Sequence, residues 1–110
     1  MGKEYISVRS IDELDRLFES SSEEPVVLFK HSNSCGTSAY IYQVMSDVDL
    51  PVNIVTVQER RDISNAIEQR TGIRHQSPQV FVVRDGKVVY SASHYSISPE
   101  AIAKAAERAE

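Results

Sequence analysis

Val26-Val27-Leu28-Phe29 is a continuous apolar run, closed by Pro25 on one side and by the polar stretch His31-Ser32-Asn33-Ser34 on the other. So short a run between turn residues suits a strand buried on both faces, and such strands belong to sheets covered by helices. The next segment changes period. Ile41, Val44, Met45 and Val48 stand at i, i+3, i+4 and i+7, one face of a helix. A buried strand that hands over to an amphipathic helix is the beginning of an α/β unit.

The flanking segments extend the alternation. Tyr5–Val8 reads as a short strand. Ser10 and Glu13 form a capping box ahead of Ile11, Leu14, Leu17 and Phe18, which recur at helical spacing. Ser20-Ser21-Ser22-Glu23-Glu24-Pro25 is a helix-to-strand loop. Val52–Val57 is the next strand, and Asp62 is placed to cap a helix carrying Ile63, Ala66 and Ile67 that closes at Gly72. Gln79–Val83 is β-rich, and Asp85-Gly86 is a two-residue hairpin signal leading into Lys87–Tyr90. Ser98-Pro99 opens a last helix lined by Ala101, Ile102, Ala105, Ala106 and Ala109.

The resulting order, β-α-β-α-β-α-β-β-α, predicts parallel crossovers among the first three strands and an antiparallel hairpin at the end. This is an α/β fold with a central mixed sheet and helices on both faces, the thioredoxin-like arrangement. The 110 residues are expected to form one such domain, 1–110.

Composition narrows the function. Twelve basic against sixteen acidic residues leave a net charge of −4, a poor match to nucleic acid. No apolar run approaches the ~20 residues of a membrane span, and the first residues hold no signal-peptide stretch. A cytoplasmic protein with no membrane partner is the expectation. The chain has one cysteine, Cys35. Alone it makes neither an internal disulfide nor a multi-thiolate metal cage, so any role it has is that of a lone thiol.

Cys35-Gly36-Thr37-Ser38 falls where the buried strand gives way to the helix, and Ser77-Pro78 follows 43 residues later. The thiolate is the reactive form of cysteine, and a helix N-terminus lowers the thiol pKa from its usual ~8.5. Gly36 leaves the sulfur unshielded, Thr37 and Ser38 offer hydroxyl donors, and Lys30 and His31 lie just upstream as sources of positive charge. Free cysteine is often a small buried hydrophobe. The polar flanks Ser34, Gly36, Thr37 and Ser38 favour a reactive thiol instead. Pro78 stands where a strand opens, which suits an ordinary trans proline. A cis bond is the alternative, and it would leave the Ser77 amide and carbonyl free to pair with an extended substrate.

His31, His75 and His94 fit no zinc spacing, so no metal is expected. Tyr40 and Tyr42 either flank the helix half-buried or rim a pocket for a small thiol.

Phe29-Lys30-His31-Ser32 with Cys35-x-x-Ser38, then Val57-Gln58-Glu59, Ser64-Asn65-Ala66-Ile67, Thr71-Gly72-Ile73-Arg74-His75, Ser77-Pro78-Gln79 and Ala92-Ser93-His94 together resemble the monothiol bacilliredoxins, the YtxJ-like proteins of the bacillithiol system. The resemblance runs from about Phe29 to Ile97. It implies a cytosolic thiol–disulfide role with Cys35 as nucleophile, assisted by Ser38, and a cis Pro78. Gly36, Thr37, Ser77 and Pro78 would form the substrate-binding rim, with Lys30 and His31 tuning the thiol. Gly36 stands where proline is expected in the family.

The mechanism so implied removes bacillithiol from bacillithiolated client proteins. No cofactor is bound, and the small thiol serves as co-substrate. Two other readings stay open. Cys-Gly-Thr-Ser is similar to the Cys-Gly-Phe-Ser of monothiol glutaredoxins, which carry iron–sulfur clusters, although Gln79–Gly86 lacks their Gly-Gly pair. The third reading is a non-catalytic interaction module.

Overall fold

The computed structural model describes residues 5–34 and 36–107. Ala109, expected on the last helix, lies outside the described residues, as does Cys35. The elements follow the order β1 Tyr5–Ser7, α1 Ile11–Ser20, β2 Val26–His31, α2 Gly36–Val44, β3 Val52–Thr56, α3 Arg61–Thr71, β4 Gln79–Arg84, β5 Lys87–Ser93 and α4 Pro99–Glu107. Short 3₁₀ turns at Met45–Asp47 and His94–Ser96 follow α2 and β5. The strands form one sheet in the order β1-β3-β2-β4-β5. β1 and β2 both run parallel to β3, while β4 runs antiparallel to β2 and to β5.

The apolar run found in the sequence is the middle strand. Along β2 the side chains alternate between two cores, as a pleated strand requires. Val27 and Phe29 join Ile41, Met45, Val52, Val80, Val82 and Ile102 under α2 and α4. Val26 and Leu28 join Leu14, Phe18, Val55, Ile63, Ile67, Phe81 and Val83 under α1 and α3. β5 is an edge strand and alternates between exposed and half-buried residues instead.

Local signals in the sequence act largely as read, with several differences; the hairpin strands, for one, run on to Arg84 and Ser93. Ser10 Oγ accepts from the Glu13 N–H at 3.1 Å, but Glu13 returns its carboxylate to the Arg9 N–H at 2.7 Å rather than to Ser10. Asp62 does not cap α3. The N-cap is Arg60, with no side-chain bond, and Asp62 sits in the first turn, where its charge suits the helix dipole. The helix after Gly36 does not keep its period to Val48. Its last turn tightens to 3₁₀, the Val48 N–H donates to the Met45 C=O at 3.0 Å, and Val44 is only half-buried. The strands end at Ser7 and Thr56, one residue earlier than their apolar runs.

Two features tie the end of the hairpin to the body. Asp85 and Gly86 take φ of 54° and 75°, the left-handed pair that a tight two-residue hairpin demands. Ser21 holds this tip: its C=O accepts from the Asp85 N–H and its Oγ from the Gly86 N–H, each at 2.8 Å. Gly72 closes α3 at φ 73°, as read from the sequence.

Candidate functional site

Strand direction brings the sequence-predicted residues to one end of the sheet. Lys30 lies opposite Gln79 in the antiparallel β2–β4 pair, so residues following β2 meet residues preceding β4. β3 finishes at the same end, where the Val57 N–H donates to the His31 C=O at 2.9 Å. β5 also finishes there, with Ser93 opposite Gln79 and the His94 N–H donating to the Pro78 C=O at 3.0 Å. The turn Ser32–Ser34, the start of α2, Gln58, Ser77-Pro78 and His94-Tyr95 are thereby gathered on one edge. The Ser77–Pro78 bond is cis. Pro78 is buried and Ser77 half-buried, and no described residue outside the sheet ladder engages the Ser77 amide or carbonyl.

Cys35, expected as nucleophile, lies outside the described residues, and its neighbours in the chain define the site. Ser38 is fully buried, and its Oγ accepts from the Ser32 N–H at 3.1 Å. That bond staples the first turn of α2 to the turn before it, and the same hydroxyl still has a proton to donate. Gly36 is exposed, and among the described residues, its chain neighbours aside, a Cβ there would meet nothing within 4 Å. The position accepts a larger residue, so its glycine is no steric requirement. Thr37 is half-buried, with its Oγ1 3.5 Å from the Tyr95 hydroxyl.

The two upstream basic residues diverge. Consecutive strand residues point to opposite faces. Lys30 enters the layer beside α3, is fully buried, and donates from Nζ to the Ser64 C=O at 3.3 Å. Burial pushes its pKa down to about 8, with Glu68 acting weakly in the other direction. His31 goes to the α2 face, its ring 5.6 Å from Phe29 and 5.2 Å from Tyr42. Burial lowers its pKa, and its Nδ1 finds no hydrogen-bond partner among the described residues. His31 is therefore neutral near pH 7 and supplies shape rather than charge.

The tyrosines divide as well. Tyr42 is half-buried against Tyr5, whose hydroxyl donates to the Tyr42 C=O at 2.7 Å. Tyr40 is exposed on the rim and pairs with the exposed Tyr95 at 5.8 Å between ring centres. His75 belongs to the other face, with its Nδ1 3.4 Å from Ser64 Oγ. No group of three or more His, Cys, Asp or Glu side chains among the described residues could hold a metal ion. No helix among the described residues is long and apolar enough to cross a membrane.

Gln58 was not singled out by its chemistry in the sequence. Its Nε2 donates to Ser32 Oγ at 2.7 Å and to Ser34 Oγ at 2.9 Å, and its Oε1 accepts from the Asn33 N–H at 3.1 Å. A polar residue one step past a strand carries no periodic signal. Only its place in the Val57-Gln58-Glu59 stretch of the family-like pattern marked it.

The chain matches the family model described as monothiol bacilliredoxin BrxC over residues 6–102. Among solved structures it is similar to a protein described as a candidate oxidoreductase with a thioredoxin fold, at 30% identity, covering 92% of each chain with a TM-score of 0.81. A thioredoxin variant from Halobacterium salinarum shares 21% identity over 94% of this chain and 88% of that one, with a TM-score of 0.71. Thioredoxin f from spinach chloroplast, in its short form, shares 20% identity over 93% of each chain, also with a TM-score of 0.71. The last two likenesses establish the thioredoxin fold.

Proposed function

This chain belongs to the monothiol bacilliredoxin family, whose fold and chemistry are those of thiol oxidoreductases, and from that premise we propose that it removes bacillithiol from mixed disulfides on client proteins, with Cys35 as nucleophile. The observation that carries the reading is the convergence at one sheet end of the turn leading into Cys35, the start of α2 and the Ser77–Pro78 loop. A thiol that stands between Ser34 and the first residue of a helix gains from unpaired N–H groups and the helix dipole. The Ser77 backbone offers an extended partner a donor and an acceptor.

The reaction is an exchange between thiol and disulfide. The Cys35 thiolate attacks the small-thiol sulfur of the mixed disulfide. A new S–S bond forms between Cys35 and the small thiol, and the bond to the client breaks. The client sulfur leaves with the electron pair and takes up a proton. With no second cysteine in the chain, Cys35 is released when a second small thiol, or another redox protein, attacks the new disulfide. A reducing cytoplasm suits a lone reactive thiol. Ser38 holds the start of α2 in register with the turn, and Thr37 with Tyr95 shapes the rim on which a client rests.

The test mixes reduced protein with a client carrying a bacillithiol mixed disulfide and reads intact masses. Cys35→Ala is the control, and a glutathionylated client runs in parallel. Transfer of the bacillithiol mass to Cys35, with loss from the client, is the expected result. Transfer from the glutathionylated client alone would reassign the co-substrate. If neither small thiol moves while Cys35 is reduced, the proposal is wrong.

A further inference from the structure

We infer that Gln58 is a positioning residue for this exchange, acting on Cys35 through the three residues that precede it. The inference rests on the reading of Cys35 as the nucleophile. The Gln58 amide is directed back onto one turn, and it touches Ser32, Asn33 and Ser34 in succession. The Asn33 N–H can only donate, which determines which end of the amide is the oxygen. The other end is therefore the NH₂ group, and its two protons go to Ser32 Oγ and Ser34 Oγ.

Both serine oxygens act as acceptors toward Gln58, and Ser32 Oγ accepts again from the Ser34 N–H at 3.3 Å. Neither hydroxyl proton can point at the amide; Ser32 Oγ, with both lone pairs used, turns its proton to Ser34 Oγ at 3.4 Å, and the Ser34 proton is left to donate elsewhere. A hydroxyl that accepts a hydrogen bond is also polarised into a better donor. Cys35 follows Ser34 directly in the chain. A clamped turn that leaves the Ser34 hydroxyl proton free next to Cys35 in the chain would favour the charged sulfur over the neutral thiol, because donors to the charged form lower a pKa. The clamp is anchored in the sheet: Gln58 follows Val57, whose N–H is bonded to the His31 C=O.

Gln58 is itself exposed, so replacing it leaves the core intact. Gln58→Glu keeps the shape and can still accept from the Asn33 N–H. It cannot donate to the serines, whose protons would turn toward the carboxylate. Gln58→Ala removes the clamp without adding charge. Cys35 is the one cysteine, so alkylation reads a single site. The measurement is the pH dependence of iodoacetamide alkylation and of thiolate absorbance, beside the thermal midpoint of each variant. Gln58→Glu is expected to raise the thiol titration midpoint by about one unit and to slow alkylation below it about tenfold, with a smaller rise in Gln58→Ala. Unchanged titration in Gln58→Ala overturns the inference, even if thermal midpoints fall or the added charge of Gln58→Glu shifts the thiol, because the clamp would then be structural only. Should Gln58→Glu fold poorly, Gln58→Ala alone decides between these outcomes. Failure of the proposed function would show differently: the native protein would transfer neither small thiol, whatever the titration of the variants.

Discussion

The Nζ of Lys30 donates to the carbonyl oxygen of Ser64 across 3.3 Å, from a strand position with no exposure to solvent. A buried ammonium with one carbonyl partner is poorly compensated, and this explains its fall to about 8 from 10.5. Glu68 opposes that fall, and His75 lies near enough that the lysine's charge helps to lower the histidine's own pKa. Between pH 8 and 10.5 the unfolded chain holds the proton and the folded chain does not, so stability rises with pH across that window. Lys30→Met should flatten this rise and raise the thermal midpoint at pH 7, because a hydrophobe replaces an uncompensated charge. Thermal melts of both proteins from pH 7 to 10 check it. An unchanged slope would show that Lys30 is not the titrating group.

His31 gives the opposite end of the pH range. Its pKa is lowered by burial, so below about 6.5 the unfolded chain takes up a proton that the folded chain resists. Stability is full above that range and declines as pH falls through it. His31→Phe keeps an aromatic ring between Phe29 and Tyr42 and removes the titration. Its thermal midpoint should drop less than the native one between pH 7.5 and 5, leaving the share due to His75, which is lowered too.

Ser38→Ala separates two roles of one hydroxyl. The substitution leaves the buried Ser32 N–H without its acceptor, a loss on the order of 1–3 kcal/mol. Denaturant unfolding should show this equally in native protein and in a Cys35→Ala background. A loss confined to the cysteine-containing protein would mean that the hydroxyl acts chiefly on the sulfur.

Ser21→Ala tests the hold on the hairpin tip. It removes the acceptor of the Gly86 N–H and should cost about 1 kcal/mol. Amide exchange should show the change concentrated at Asp85–Lys87. Protection lost uniformly across the sheet would argue against a local clamp.

Arg70 joins α3 to α1. Its guanidinium lies 4.6 Å from the centre of the Phe18 ring and pairs with Asp15. The Arg70 and Asp15 side chains are 39% and 42% exposed, so Arg70→Ala should destabilise by only about 1 kcal/mol, with most of the loss persisting in high salt if the contact with the buried Phe18 ring dominates. Urea melts at low and high salt distinguish the two contributions.

The order of elements was legible along the chain because the local signals agree with one another. The Val26–Phe29 run, the Asp85-Gly86 turn, Gly72 and Ser98-Pro99 each act where they stand, through backbone preferences and side-chain period that need no distant partner. Local chemistry also misled where a neighbour competed. Asp62 looks like a cap, yet the chain enters α3 through Arg60. Glu13 looks like half of a capping box, yet the Arg9 N–H is its partner.

The candidate site divides along the same line. Residue types and spacing were enough to mark Cys35, Gly36, Thr37 and Ser38, because a strand-to-helix junction with small polar flanks is a statement about one stretch of chain, whereas Ser77 and a cis Pro78 were marked through the family resemblance. Which way Lys30 and His31 face follows from β2 standing at the centre of the sheet, with helices on either side of it. The Gln58 clamp follows from β3 ending level with β2. Contacts of this kind join residues more than twenty positions apart. They come into being only when parallel and antiparallel neighbours bring their ends to one edge, a matter of sheet order and register that no single segment encodes.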